Sequence, residues 1–338
     1  MDNAVLTETK TRTIDDFCSH MMFECGEYDA DHDVLDFDYG KVGVNNLSRE
    51  FIKFFDLQHP LSLESILNIC KDSGVKLELL DDDHKARGYN FCYGDEIRIF
   101  IKENDSPSGQ IHTLLHELYE VIDEKLYSYD AIGYERKQNI VEAKADQFSV
   151  YVHVPNETVF QWINTNGLDV FGLKDFLTCS YITALIRLNE VLCELVNVKT
   201  AMPTSVIGIL YERPYWKGTP SGRTPRLQFK FHAKSRGFSF KLSRNEVKDL
   251  RFYGKDIKGL TIPRLIKVFS DSNDNLLLKN ISLVFKEQTL TVDVLIRTVN
   301  WHKYKYTSKI LIQIIPSEQP HLQHLADRLN ITQYEMGK

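Results

Sequence analysis

The chain has 338 residues, 43% of them hydrophobic and 26% charged, with 41 Lys and Arg set against 47 Asp and Glu. That length suits two or three domains with a core in each, and 17 Gly, 10 Pro and 6 Cys exclude collagen-like, disordered and small disulfide-scaffold chains. No apolar run reaches the roughly 18 to 20 residues of a membrane span, and the first residues are polar, so a soluble, cytoplasmic chain without a membrane partner is expected.

The net charge of −6 conceals a division. Residues 201–338 carry 23 Lys and Arg against 11 Asp and Glu, whereas residues 1–200 carry 18 against 36. Halves of opposite sign predict modules with different partners. Residues 1–47 read as a loosely ordered acidic arm, since residues 1–46 hold 11 acidic and 3 basic side chains and no sustained period. Cys18, His20, Cys25 and His32 lie within it but lack the short paired spacing of a zinc knuckle. The cysteines are otherwise scattered singly, as in a reduced compartment.

Order is expected from about Ser48. Ser62 is placed to cap a helix in which Leu63, Ile66, Leu67 and Cys70 share one face, with Gly74 at its end. Val75, Leu77 and Leu79 alternate as in a strand, and Ile97, Ile99 and Ile101 repeat the pattern. Pro107 opens a second helix, with Ile111, Leu114, Leu115, Leu118 and Ile122 as its apolar stripe. A third, about residues 135–152, buries Val141, Ala145, Phe148 and Val152 and stops at Val154-Pro155; further helix is expected over about 173–196. After Met202-Pro203 the texture changes to alternating segments at 227–232, 238–242, 281–285 and 309–315, predicting a mainly β domain over 204–338.

The second helix carries His116-Glu117-Leu118-Tyr119-Glu120, close to the metallopeptidase motif His-Glu-x-x-His. In that motif, side chains at i and i+4 reach one metal and the intervening Glu is general base toward water. Glu120 stands at the second ligand position, and a carboxylate there can serve, because helix geometry is indifferent to ligand type. Glu142, in the next helix, is the candidate third ligand. Such a His/Glu/Glu set suits Zn2+ and, being more anionic, also admits Mn2+ or Fe2+. His112 offers a rival i+4 pair with His116, and Asp146 an alternative ligand or an orienting partner for His116. Tyr93, Tyr119 and Tyr151 are candidate oxyanion donors, each with packing as the plainer role, and Cys92 reads as a small buried hydrophobe or a thiolate within reach of the metal.

Gln110 to Leu118 followed by Glu142-Ala-Lys-Ala-Asp-Gln-Phe-Ser-Val-Tyr-Val-His-Val-Pro155 resembles the ImmA/IrrE family of metallopeptidases. Glu142, Ala145, Asp146, Phe148 and Pro155 fall on the family pattern, and Phe176, Ser180, Thr183, Arg187 and Leu188 resemble a later segment with a one-residue offset. The resemblance covers about residues 48–197, and Glu120 departs from it, standing where the family has its second His. It implies His116 and Glu142 as metal ligands and Glu117 as general base. It also implies limited proteolysis of a DNA-binding repressor, typically of helix-turn-helix type, in stress, mobile-element or defence regulation. The expected fold is therefore α+β: a mainly helical metallopeptidase-like domain with a small sheet over 48–200, then a mainly β domain loosely resembling a GAF-like sensory module. In that domain Arg213, Lys217, Arg223, Arg226, Lys230, Lys234 and Arg236 interleave with Trp216, Phe229, Phe231 and His232, and Trp301 to Tyr306 forms a second basic aromatic cluster. That pattern fits a nucleotide or nucleic-acid signal, and equally a solvated edge strand. The alternative for the whole chain is a non-catalytic sensor or binding module built on a degenerate peptidase domain.

Overall fold

The computed structural model describes residues 11–29, 34–37, 40, 42–81, 83–94, 96–129, 136–195, 205–214, 227–236, 238–255, 257–269, 275–300, 307–319 and 321–336. It has an α+β fold and divides into two units, Met1–Thr158 with Lys174–Ser180, and Val159–Leu173 with Tyr181–Lys338.

In the first unit Thr13 opens α1 (Ile14–Cys25) with a reciprocal capping box, its hydroxyl accepting from Asp16 N and the Asp16 carboxylate accepting from Thr13 N. Ile14, Phe17, Cys18 and Met21 are buried, at i, i+3, i+4 and i+7. This segment corrects the reading of a loose arm: a single apolar stripe only two turns long is hidden among acidic residues, yet Phe17 meets Phe51 edge to face at 5.3 Å. Burial pushes the Cys18 thiol up to about 12, and His20 stacks on Phe54. Neither side chain is placed for zinc, and His32 lies outside the described residues.

Strands β1 (Glu27–Asp29) and β2 (Val34–Asp36) pair antiparallel. Helices α2 (Val44–Phe54) and α3 (Leu63–Asp72) follow, the latter capped by Ser62 as expected, with Gly74 at φ 71° turning the chain into β3 (Lys76–Leu80). With β4 (Gly88–Tyr93) and β5 (Glu96–Lys102) this makes a sheet of order β3-β5-β4, β3 parallel and β4 antiparallel to β5. Ile97, Ile99 and Ile101 face inward from the central strand. Ser106 caps α4 (Pro107–Ser128) by accepting from Gly109 N, with Pro107 in its first turn, and α5 (Gln138–His153) packs beside it.

Helices α6 (Asn156–Asn166), α7 (Val170–Phe176) and α8 (Tyr181–Leu195) come next. The expected continuous helix over 173–196 is thus broken, with Thr178 at φ 53° in the break. The second unit then runs β6 (Ile207–Pro214), β7 (Gln228–Lys234), β8 (Arg251–Gly254), β9 (Ile257–Leu260), α9 (Ile262–Phe269), β10 (Leu276–Phe285), β11 (Gln288–Asn300), β12 (Thr307–Pro316), α10 (His321–Arg328) and β13 (Thr332–Glu335). Its sheet has the order β7-β6-β12-β11-β10-β8-β9, mostly antiparallel, with β13 parallel to β10. Residues 238–242, expected as a strand, bend instead and insert Phe238 and Phe240 into the core.

Ile310 to Ile315 are buried without alternation, so β12 is covered on both faces. The face of Ile310, Ile312 and Ile314 belongs to a core shared with Leu265 and Ile266 of α9. On the opposite face Gly208 meets the Leu185 side chain of α8. Asp169 completes the attachment: it accepts from Gly172 N and pairs with Arg297 and Arg328, while Gln313 Nε2 donates to Leu168 O at 2.8 Å. Much of the helical segment expected to close a domain at residue 200 therefore groups with the C-terminal sheet. No single helix among the described residues is long and apolar enough to cross a membrane.

Two stability predictions follow from buried polar groups. Asp169→Ala leaves Arg297 buried without its carboxylate and is expected to cost the second unit about 3 to 5 kcal/mol, read as a lower thermal midpoint. His153 is buried with its Nε2 at 3.2 Å from Leu177 O, and burial pulls its pKa from 6.5 down to about 4. The unfolded chain therefore binds this proton first as pH falls. Its stability contribution is present above pH 6.5 and is lost toward pH 4, by up to about 3 kcal/mol. Urea midpoints at pH 7 and pH 4.5 check this, and His153→Gln should flatten the dependence.

Candidate metal centre

Helix α4 is amphipathic in an unequal way. Ile111, Leu114, Leu115, Leu118 and Ile122 are fully buried, and each such side chain contributes roughly 1.5 to 3 kcal/mol. The same helix carries His116, Glu117 and Glu120 on the flank that meets α5 and β4. Ala145 of α5 is fully buried and has no side chain beyond Cβ, which favours close approach of the two helices. Tyr119 and Phe148 pack across them at 5.3 Å. On the other side, Gly88 lets β4 lie close: a Cβ there would stand 2.3 Å from Thr113 Cγ2, 2.7 Å from Phe100 O and 3.4 Å from a Glu117 oxygen.

These approaches bring the predicted ligands together. His116 Nε2 lies 3.3 Å from Glu142 Oε2 and 3.8 Å from Glu120 Oε1, and the three groups offer ligand atoms within 4.8 Å of one another. Each group is also held by its outer atom. His116 Nδ1 is 3.1 Å from Asp146 Oδ1, Asn90 Nδ2 donates to Glu120 Oε2 at 2.7 Å, and Gln138 Nε2 donates to Glu142 Oε1 at 3.3 Å. In the tautomer that donates Nδ1–H to Asp146, Nε2 presents its lone pair beside the Glu120 and Glu142 oxygens. Three acceptors, one nitrogen and two oxygens, thus face a common point. Ligand bonds of roughly 2.0 to 2.2 Å at the tetrahedral angle would separate donor atoms by about 3.4 Å, a value that lies between the two His116 Nε2 distances of 3.3 and 3.8 Å.

Glu117 points beside this cluster, not into it. Asn90 Nδ2 donates to Glu117 Oε2 at 2.8 Å as well as to Glu120. Burial, the largest cause, holds both carboxyls above their ordinary range, with the neighbouring carboxylates adding to it and Asn90 opposing it. Glu142 and Asp146 are exposed, so the cluster opens to solvent on the α5 side.

The other sequence candidates sort clearly. His112 Nε2 sits 3.7 Å from Asp146 Oδ1, forming a second convergent group with His116 and Asp146, while its Nδ1 contacts Ser149 Oγ at 2.8 Å. Burial pulls its pKa down. Tyr119 is buried and donates to Asp123, Tyr151 accepts from Gln147, and Tyr93 is exposed on β4. Cys92 lies on the inner face of β4, where burial pushes its thiol up, against thiolate ligation. Of the basic residues, Lys230 is paired with Glu212 beside Lys309, Lys234 donates to Ser235 O and Phe238 O, and Arg236 is exposed. Lys217, Arg223, Arg226, the Arg213 side chain and residues 301–306 lie outside the described residues. Asn90 and Gly88 escape the motif reading, although aromatic residues at 89, 91 and 93 alternate as a strand would.

No protein-family model matches the sequence, and no curated protein does. Among solved structures, a Mycobacterium tuberculosis transcriptional regulator aligns over 96% of this chain and 88% of its own length, with 10% identity and a TM-score of 0.48.

Gly88→Ala is expected to destabilise the first unit by about 1 to 3 kcal/mol, because the clash with Phe100 O is with backbone and cannot be relieved by a rotamer change. A thermal melt that matches the parent would show that β4 can shift against β5 and α4 without loss.

Proposed function

We propose that the first unit is a divalent-metal-dependent endopeptidase that cuts a specific protein, and that this protein is a DNA-binding transcriptional repressor of helix-turn-helix type. The observation that carries the catalytic reading is the convergence of His116 Nε2, Glu120 Oε1 and Glu142 Oε2, each backed by a partner on its outer atom. The donor set fits Zn2+, and its two carboxylates also suit Mn2+ or Fe2+. Bound there, such an ion supplies Lewis-acid activation of water and of a carbonyl. His116, Glu120 and Glu142 bind it. Glu117 accepts the proton of the attacking water on its carboxylate and delivers it to the leaving amine, a role suited by a pKa raised through burial. The repressor substrate rests on the resemblance of residues 48–197 alone. The basic second unit is assigned the reading of a signal, a nucleotide or nucleic acid, with no membrane involved.

Metal analysis of the purified full chain tests this. About one equivalent of zinc, manganese or iron is expected, lost in Glu142→Gln and kept in Glu117→Gln, with cleavage falling roughly 100- to 10,000-fold in the latter. Protons compete with the ion for the Glu120 carboxylate, whose pKa burial raises, so ion affinity should weaken as pH falls. A parent chain that takes up no ion, and binds its partner equally well as Glu117→Gln, selects the non-catalytic sensor module instead.

A further inference from the structure

Resting on that reading, we propose that Asn90 is the positioning residue that makes Glu120 a one-oxygen ligand while holding Glu117 clear of the ion. Glu117 and Glu120 are three residues apart on α4, so their carboxylates share a face and repel. One amide NH2 group answers both, donating to Glu117 Oε2 at 2.8 Å and to Glu120 Oε2 at 2.7 Å. Only the NH2 end of Asn90 can do so, since its carbonyl oxygen turned toward two carboxylates would be repelled. With Oε2 of Glu120 engaged, only Oε1 faces His116 Nε2. The same amide pulls the Glu117 carboxyl toward β4, away from the three convergent atoms.

The placement is built into the strand. Asn90 is half-buried, alternates with the exposed Tyr89 and Phe91, and stands two residues from Gly88, the position whose lack of a Cβ lets β4 approach α4. A histidine at 120 would place a single ring nitrogen toward the ion and leave no second oxygen to restrain. Dependence on Asn90 is therefore a consequence of the carboxylate at 120. Without the amide, Glu120 turns both oxygens inward and Glu117 is free to compete for the ion.

A metal-binding cycle tests this with Co2+ and the full chain, comparing the parent, Asn90→Leu, Glu120→His and the double variant, with circular dichroism confirming the fold of each. Asn90→Leu keeps nearly the size of the side chain and removes the donor. It is expected to weaken Co2+ affinity about 10- to 100-fold in the parent background, and less than about 3-fold when His replaces Glu120. The visible Co2+ spectrum should also lose intensity in Asn90→Leu as the coordination number rises, a change that a packing defect alone does not produce. If Glu120→His fails to bind, that spectrum decides. An unchanged spectrum with unchanged affinity overturns the role of Asn90, as does an equal loss in both backgrounds. A parent chain that binds no Co2+, or a Glu142→Gln variant that binds as well as the parent, overturns the metal centre itself and this inference with it.

Discussion

Helix α4 must satisfy two demands along one cylinder, and the first unit is arranged around that constraint. Its apolar stripe, Ile111 to Ile122, belongs to the core, while on the same helix Glu117 is buried and Glu120 half-buried. Burial of two neighbouring carboxylates is unfavourable, and it shows as pKa values held above the ordinary range. Donors brought in from other elements reduce that cost. Asn90 comes from β4, and Gln138 restrains Glu142 from within α5. Both neighbours approach α4 at residues with little or no side chain, Gly88 and Ala145. Small residues in the packing layer thus let polar residues reach across it.

The local signals in the sequence are those the structure repeats most closely. Ser62 acts as a cap because a hydroxyl accepting a first-turn amide depends on nothing distant, and Gly74 and Pro107 act through their own backbone. His116, Glu120 and Glu142 were also legible, since i and i+4 spacing fixes two of them on one face whatever lies around. Asn90 was not legible. It belongs to β4, and its role depends on the antiparallel register that sets Asn90 opposite Ile99 and turns it toward α4. A single amide in a strand carries no sign of the two carboxylates it will meet 27 and 30 residues later.

The division of the chain was hidden for a similar reason. A change of texture near residue 203 marks where strands begin, not where a core ends. What ties Leu168 and Asp169 to the sheet are Gln313 and Arg297, 145 and 128 residues away. The run Ile310 to Ile315 of β12, apolar except at Gln313 and buried throughout, already requires a cover on each face of the sheet. One cover comes from α9 and the Phe238–Phe240 bend, after the first strands; the other includes α8, before them.

The charge division takes on a more specific meaning in this light. A surplus of 18 carboxylates over residues 1–200 says little about where they act. The informative ones are the few that the fold holds close despite their repulsion. Glu120 and Glu142 together carry the charge that a divalent cation would neutralise, while a histidine at position 120 would leave one unit of positive charge in the same half-buried place. On the proposed reading the carboxylate at 120 therefore shifts the centre toward harder ions and toward electrical neutrality. It also introduces a second oxygen that must be restrained, and Asn90 is the group placed to restrain it.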